Sequence, residues 1–402
     1  MVCLLAYATA QMDLALFGYA IPSIRKEFGL SLSGVMIIVS TAFIIGGVLI
    51  VWLGMWTDRV GRRSMFQFSL IGSSILIALH SIVPNPATLA ALRGTSIAVG
   101  GLSYPITGAV ITEEFPARYR GLFLGFLQVG YPLGWALASL WAAWLLGTHG
   151  WRALFLVGLV SLPIAWLVHR VIHEPARFLE NKAGRSAGDV PRARELLAPG
   201  IRRRALLLFS AQFLFVWAYA GSIFLFPSYL SAARGFASFE FSTLIGAGNA
   251  IGILGYILAA VIGEFVITRR TTVVIWTLLG AVMFQLVVWF THDYRELLIM
   301  YGLMSMFFYG ASAVKFAYLA EVFPTRLRAT AMASCGSLAV ILGSAAGPMM
   351  VSVAVERFGW DLGYSVVVGV PLFMAGFLYL FLTPVPSGLE VEEVESLLAG
   401  KN

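Results

Sequence analysis

The strongest constraint on this chain is a series of apolar runs, each long enough to cross a lipid bilayer as a helix. Such a helix needs about 20 consecutive, mostly apolar residues. The twelve predicted spans are residues 2–24, 34–56, 64–83, 88–112, 121–146, 151–172, 204–230, 239–262, 271–291, 296–320, 330–355 and 361–383. Only 12% of the residues are charged and the mean hydropathy is +0.86, whereas about a quarter of an average soluble domain is charged. The sequence therefore excludes a soluble domain and predicts an all-α integral membrane protein.

The basic residues predict the orientation of the spans, because Lys and Arg concentrate in short cytoplasmic loops. With a cytoplasmic N-terminus, nineteen of the 27 Lys and Arg residues fall on the cytoplasmic side and six on the other. The remaining two, Arg93 and Lys315, lie within spans. We therefore expect a multi-pass protein of the cell (inner) membrane with both termini in the cytoplasm. The net charge of +7 follows from these loops and does not indicate a nucleic-acid partner.

An internal repeat divides the chain into two halves. Residues 113–120 read EEFPARYR, and residues 321–328 read EVFPTRLR at the equivalent point of the second half. Glycines four residues apart, which allow close helix approach, recur at 130–134 and 343–347. Six-helix repeats of this kind place a solute site at their interface, near the bilayer midplane. The predicted domains are a six-helix bundle at 1–172, a cytoplasmic linker at 173–203, a second six-helix bundle at 204–385 and an acidic cytoplasmic tail at 386–402.

Two motifs resemble those of the major facilitator superfamily. Residues 54–63 read GMWTDRVGRR, close to the family pattern G-x-x-x-D-R-x-G-R-R, and residues 174–179 read EPARFL, a variant of P-E-S-P-R-x-L. The second-half loop, GEFVITRR at 263–270, departs from the first pattern. The resemblance covers essentially the whole chain. It implies a major facilitator fold of twelve helices in two six-helix bundles, transport by alternating access, and a monomer.

Within that superfamily, the chain looks most like the organic-acid/proton symporters, and the aromatic-acid group in particular. Pro105 falls at the A-x-P-N element of that group, and FPSYL at 226–230 resembles its L-P-T-Y-L. Sugar porters would carry Q-Q-x-x-G-x-N in span seven, whereas residues 212–219 read QFLFVWAY. One departure is the first span, where the group's D-G-x-D is AQMD at 10–13. Only the second acid of that element is present.

Asp13 is the candidate proton-coupling residue, because it is the only acidic residue in the interior of a predicted span. Carboxylates within the hydrocarbon region usually face a cavity and have a function. Burial favours the neutral form of a carboxyl, which allows it to load and release a proton. Arg93 lies at a similar predicted depth, and the resemblance implies that it takes part in coupling. Two alternatives are that Asp13 is a fixed structural partner of Arg93, and that Arg93 binds a substrate carboxylate directly.

Lys315 is the candidate cation for an anionic substrate. Its position in span ten, six residues before Glu321, leaves two alternatives open: the side chain extends to the membrane interface, or it pairs with Glu321.

Aromatic residues are dense in span seven, and those that face a cavity could stack on an aromatic substrate. The further candidate substrate-binding residues are Tyr104, Gln128, Gln212, Trp217, Tyr219 and Asn249.

The resemblance also implies an inner gate of charged residues that closes when the protein opens outward. The gating candidates are Asp58, Arg59, Arg62, Arg63, Glu113 and Arg120 in the first half, and Glu321, Arg326 and Arg328 in the second. The alternative is that these charges form solvated loop surface. If they act as a gate, breaking their pairs shifts the balance between two conformations rather than abolishing binding.

We predict a proton-coupled symporter of a small organic anion, an aromatic or other carboxylate. Protons and that solute are the expected partners, besides the lipid bilayer. The sequence contains no G-x-x-x-x-G-K-[ST] loop for ATP, and its two cysteines and five histidines form no metal or disulfide pattern, so we predict no cofactor. The alternatives are a proton-coupled drug or metabolite exporter and sugar porter-like uptake. An intramembrane enzyme would need paired catalytic groups at one depth, and a nutrient sensor would typically carry a long signalling tail.

Overall fold

The computed structural model describes most of the chain as a bundle of helices. It covers residues 2–60, 62–103, 106–108, 110, 117–171, 193–198, 201–323, 327 and 330–384. Within those ranges, the side chains at 55, 57–59, 62, 117–122, 193–194 and 320–321 are not described.

Fifteen α-helices make up the described bundle. They are α1 (Val2–Phe28), α2 (Leu32–Val60), α3 (Arg62–Leu79), α4 (Pro86–Gly101), α5 (Ala117–Gln128), α6 (Gly130–Leu145), α7 (Gly150–Leu156), α8 (Ser161–Val171), α9 (Arg202–Ala232), α10 (Ser238–Phe265), α11 (Arg269–Trp289), α12 (Tyr294–Met304), α13 (Ser312–Glu321), α14 (Ala339–Phe358) and α15 (Trp360–Leu380). Short 3-10 turns lie at His80–Ile82, Val157–Val160 and Ala193–Leu197, and π-helical turns at Ser305–Tyr309 and Met332–Leu338.

Eleven of the twelve predicted spans are confirmed as helical segments long and apolar enough to cross a membrane. Their ends differ from the predicted ends by a few residues; α9, for example, begins at Arg202 rather than at residue 204. The remaining span, predicted at 88–112, begins as α4, but several of its later residues lie outside the described ranges. The total of twelve therefore stays a prediction, as do the domain boundaries.

Helices dominate because the hydrocarbon region offers no water to main-chain N–H and C=O groups, so each span must satisfy them internally. Several helices begin with side-chain caps. The Asn85 side chain accepts a hydrogen bond from the Thr88 amide at 2.9 Å before α4, with Pro86 at the first helical position. The Asp293 side chain accepts one from the Glu296 amide at 2.8 Å before α12. These caps satisfy amides that an α-helix leaves free in its first turn.

The repeated glycines allow equivalent helices to pack closely in the two halves. A Cβ on Gly134 of α6 would collide with the carbonyl oxygen of Ala8 in α1. A Cβ on Gly347 of α14 would collide with the carbonyl oxygen of Trp217 in α9. The close helix approach predicted from the glycine spacing is therefore observed at both positions.

The first half (α1–α8) packs against the second half (α9–α15) along several helix pairs, which include α2 with α14, α6 with α10, α1 with α9, and α5 with both α10 and α13. The Ser40 hydroxyl of α2 donates to the Ala345 carbonyl of α14 at 2.6 Å. The rings of Phe43 in α2 and Phe224 in α9 meet edge to face at 5.7 Å. The interface between halves thus runs through the centre of the bundle, where the repeat predicts a solute site.

Arginines connect neighbouring helices at one end of the bundle. We call it the terminal end, because the described chain begins and ends there. Arg63 at the start of α3 donates to the His169 carbonyl of α8 at 2.7 Å. Arg204 of α9 donates to the Val322 carbonyl after α13 at 3.1 Å, and Arg270 of α11 to the Leu380 carbonyl of α15 at 3.0 Å. The other end of the bundle is called the opposite end.

Candidate functional site

Aromatic rings from three helical segments meet between the two halves. This aromatic cluster consists of Tyr131 from α6, Phe215 and Tyr219 from α9, and Phe308 and Tyr309 from the π-helical turn. The Tyr219 ring is its centre, with ring centroids 5.6 Å from Tyr131, 5.7 Å from Phe308 and 4.9 Å from Tyr309. The geometry is mostly edge to face, the arrangement that aromatic rings prefer.

The backbone explains how these rings come together. Phe215 and Tyr219 are four residues apart and therefore share one face of α9. Phe308 and Tyr309 are adjacent in sequence, yet both rings lie within 5.7 Å of the Tyr219 ring. They lie in a π-helical turn, a local change of helical period that is frequent at functional sites. The turn packs against Gly255 of α10, where a Cβ would collide with the Met306 carbonyl.

Lys315 of α13 directs its ammonium into this cluster. The side chain is 3% exposed, and its Nζ lies 3.4 Å from the centroid of the Phe215 ring. Among the described residues, no carboxylate pairs with this ammonium. An aromatic face stabilises a cation only in part, whereas a buried charge is costly unless it is paired. The ammonium thus points inward rather than to the membrane interface. The alternative pairing with Glu321 stays a prediction, because the Glu321 side chain is not described.

Buried amide groups lie in helices of both halves. The Oε1 atoms of Gln11 and Gln128 are buried and accept no hydrogen bond within the described ranges. The Oε1 of Gln212 accepts a bond from the Tyr379 hydroxyl at 3.4 Å, and its Nε2 has no partner in the same part of the chain. The Asn249 amide donates to the Ile245 carbonyl of its own helix at 2.9 Å. Unpartnered buried amides of this kind are rare in proteins and can orient a polar ligand.

Trp217, a candidate from the sequence, does not join the aromatic cluster. The Trp217 indole donates to the Val367 carbonyl of α15 at 3.0 Å, and its main chain lies against Gly347. That indole therefore faces α14 and α15, on a different side of α9 from Phe215 and Tyr219. Tyr104, like Pro105, lies outside the described residues.

Asp13 and Arg93 are neighbours, both almost fully buried. The Arg93 guanidinium donates to the Leu14 carbonyl at 2.6 Å and to the Asp13 carbonyl at 3.4 Å, and lies 4.7 Å from the centroid of the Phe17 ring. Both carboxylate oxygens of Asp13 are without a hydrogen-bond partner in the described structure. Arg93 is therefore held by main-chain oxygens, and the Asp13 carboxyl is left to exchange a proton or accept another donor.

Only part of the predicted inner gate is described. Arg63 ties α3 to α8, as given above. Glu113, Arg326 and Arg328 lie outside the described residues. The side chains of Asp58, Arg59, Arg62, Arg120 and Glu321 are also not described.

At the opposite end, Glu356 links the two halves. It lies in the last turn of α14, and its Oε1 accepts a hydrogen bond from the Ser33 amide in the first turn of α2 at 2.8 Å. The amide of Leu32 and the positive charge of Arg25 also face this carboxylate. A carboxylate at a helix N-terminus satisfies free amides and interacts favourably with the helix dipole. The two halves are thus held together at this end.

Several residues of this site were not predicted from the sequence. Tyr131, Phe308 and Tyr309 complete the aromatic cluster, and Gln11 adds a buried amide. Gln11 could have been identified from the sequence, because it is a polar residue two positions before Asp13 in an apolar span. The three aromatic residues could not have been identified from the sequence, since similar residues occur on many lipid-facing helix surfaces of this chain.

These features define a polytopic helical protein with an amphipathic site between its halves, and comparisons with known proteins agree. The Major Facilitator Superfamily model matches residues 3–265. A cis,cis-muconate transport protein of Acinetobacter baylyi is 30% identical over 91% of this chain and 89% of its own length. The chain therefore belongs to the Major Facilitator Superfamily. It is a multi-pass membrane transporter of small molecules and not an enzyme.

Further relatives carry similar names. A gallate transporter of Pseudomonas putida is 30% identical over 44% of this chain and 40% of its own length. A gentisate transporter of Corynebacterium glutamicum is 26% identical over 88% of this chain and 79% of its own. A crystal structure of a bacterial homologue of the human lysosomal transporter Spinster superposes with a TM-score of 0.67 at 16% identity, covering 100% of this chain and 96% of that one. This last likeness supports the fold alone.

Proposed function

We propose that this protein is a proton-coupled symporter that carries a small organic anion, an aromatic or other carboxylate, by alternating access. The observation that carries the proposal is Lys315, a buried ammonium within an aromatic cluster that has no carboxylate partner in the described chain. A substrate carboxylate supplies the missing charge. The names of the relatives, which are transporters of muconate, gallate and gentisate, support the same substrate class.

Substrate recognition combines charge with stacking. The carboxylate pairs with Lys315, and an aromatic or planar body packs against Phe215 and Tyr219 in the second half and Tyr131 in the first. Polar substituents bind the buried amides of Gln128 and Gln11. Because these groups come from both halves, the substrate bridges the interface along which the halves move.

Asp13 provides the proton coupling in this proposal. When ionised, its carboxylate attracts the adjacent Arg93; once protonated, it is neutral and the attraction is lost. Protonation therefore changes the interactions between α1 and α4 within the first half. A ligand can shift a conformational equilibrium only through such a difference between the two states. Arg93 is the residue whose electrostatic interaction changes when Asp13 gains or loses its proton.

The orientation is part of the proposal. The terminal end is assigned to the cytoplasm of the cell membrane, on the basis of the basic residues in the predicted loops. The opposite end, held by Glu356, then faces outward, and its opening admits the solute and a proton. The protein acts as a monomer, and the predicted linker and acidic tail lie on the cytoplasmic side.

The test is uptake of a labelled carboxylate panel that includes benzoate-type acids. Purified protein in vesicles receives an inward proton gradient, with Asp13→Asn as the variant and Asp361→Asn, an exposed acid at the start of α15, as the matched control. We expect wild type and the control to accumulate one acid, a protonophore to abolish the accumulation, and Asp13→Asn only to equilibrate it.

Two outcomes would overturn parts of this proposal. If no carboxylate enters under the gradient, the organic-anion assignment fails and export by proton antiport becomes the next candidate. If Asp13→Asn accumulates the acid as wild type does, then Asp13 is a structural neighbour of Arg93 and the coupling lies elsewhere.

A further inference from the structure

A cavity of about 470 Å³ lies at the terminal end, between the beginning of α9 and the end of α15. Its lining residues are Arg202, Arg203, Leu206, Leu207, Ser210 and Leu378. The cavity is on the outside of the second half and includes none of the residues of the aromatic cluster. It therefore needs an explanation separate from the substrate site.

The chemistry of the lining changes with depth along α9. Arg202 and Arg203 form the first turn and are exposed, whereas Leu206 and Leu207 follow one turn later. The helix has 31 residues, about 46 Å at 1.5 Å per residue, which exceeds a hydrocarbon core of about 30 Å. A helix centred on that core extends about 8 Å beyond it at each end, so the first turn reaches the lipid headgroups, and Leu206 and Leu207 lie near the start of the acyl chains.

Arg202 and Arg203 are both exposed at the rim of the cavity. Within the described chain, neither guanidinium has an acidic partner. Their neighbour Arg204 turns inward and donates to the Val322 carbonyl, so the three consecutive arginines do not share one role. Arg270 lies close by, because it donates to the Leu380 carbonyl two residues beyond Leu378. The rim of the cavity is therefore positively charged.

We propose that this cavity binds an anionic phospholipid of the bilayer. The phosphate lies between Arg202 and Arg203, whose planar guanidinium groups match phosphate oxygens in pairs. One acyl chain packs along Leu206, Leu207 and Leu378. An anionic phospholipid combines a charged headgroup with apolar acyl chains, and these match the arginines and the leucines of the cavity. Basic pockets between helices at the cytoplasmic side are known to bind such headgroups. The proposal depends on membrane insertion but not on the identity of the transported solute.

Native mass spectrometry of the delipidated full-length protein tests this assignment. The probes are phosphatidylglycerol, phosphatidylcholine of the same chain length, and inorganic phosphate. We expect wild type to retain phosphatidylglycerol over phosphatidylcholine, and a double variant, Arg202→Gln with Arg203→Gln, to bind it about 30-fold more weakly. The matched control removes two exposed cations at the opposite end, Lys26→Gln with Arg295→Gln, and should bind as wild type does.

A second variant tests the apolar part while keeping both charges. Leu206 is 55% exposed, so Leu206→Trp fills the cavity without disturbing the interior and should also lower phosphatidylglycerol binding. The proposal is overturned if phosphatidylcholine binds equally well, or if the control pair weakens binding as much as the arginine pair. It also fails if inorganic phosphate alone displaces the lipid, because the site then recognises a free anion.

Discussion

Glu356 gives the most direct test of how the opposite end is held closed. Its carboxylate accepts the Ser33 amide at 2.8 Å and links α14 to α2 across the interface between halves. A hydrogen bond to a charged group contributes about 1.5–3 kcal/mol, but the Glu356 side chain is exposed and water recovers part of that energy. Replacing Glu356 by Ala should therefore destabilise the closed state by about 1 kcal/mol, a fivefold shift toward an open opposite end.

The assay is a distance measurement between spin labels on the two halves. Thr148 and Ala237 are exposed at the opposite end, one on each half, and can be labelled after replacement of Cys3 and Cys335. In Glu356→Ala the population with the longer distance should rise about fivefold relative to the shorter one.

The control for this measurement is Asp361→Ala. That change removes an exposed carboxylate at the same end, in the first turn of α15, but keeps Glu356, so the distance distribution should move much less than in Glu356→Ala. An unchanged distribution in Glu356→Ala would refute the role assigned to this contact, and an equal shift in both variants would trace the effect to the loss of negative charge at this end instead.

Two further predictions concern the site and the packing. Tyr219→Ala should raise the KM for an aromatic acid about two- to tenfold, because the ring contributes about 0.5–1.5 kcal/mol by stacking. Tyr219→Phe keeps the ring and should stay near wild type, and equal KM values for both variants in an uptake assay would argue against stacking. Gly134→Val should lower thermal stability or prevent folding, because its Cβ meets the main chain of α1 and overpacking costs about 1–3 kcal/mol. Gly147→Ala, with open space around it, is the control; similar melting temperatures for the two variants would contradict the packing argument.

Most of the fold could be predicted from hydropathy, because a span in lipid must be both apolar and helical. The repeated glycines also predicted close helix contacts, and Gly134 and Gly347 make them. The breaks within spans could not be predicted. The π-helical turn at Ser305–Tyr309 alters the helical period locally, and it packs against Gly255 of α10, which is distant in sequence.

The site could be predicted only where a residue is chemically unusual for its surroundings. Asp13, Arg93 and Lys315 stood out because charges are rare within apolar spans. Whether Lys315 turns inward or toward the interface depends on which face of α13 meets α9, and that is a tertiary contact. The aromatic partners Tyr131 and Phe308 were not identified, since an aromatic ring is equally compatible with lipid and with a binding site.

The central claim is that Lys315 binds the carboxylate of the substrate. Isothermal titration of purified protein with the accumulated acid should give about 30-fold or greater loss of affinity in Lys315→Met, because removing one partner of a buried charged pair costs about 2–5 kcal/mol. Lys315→Arg keeps the charge and should retain more of the affinity. If Lys315→Met remains folded and binds the acid within about twofold of wild type, the substrate carboxylate is held elsewhere and this account is contradicted.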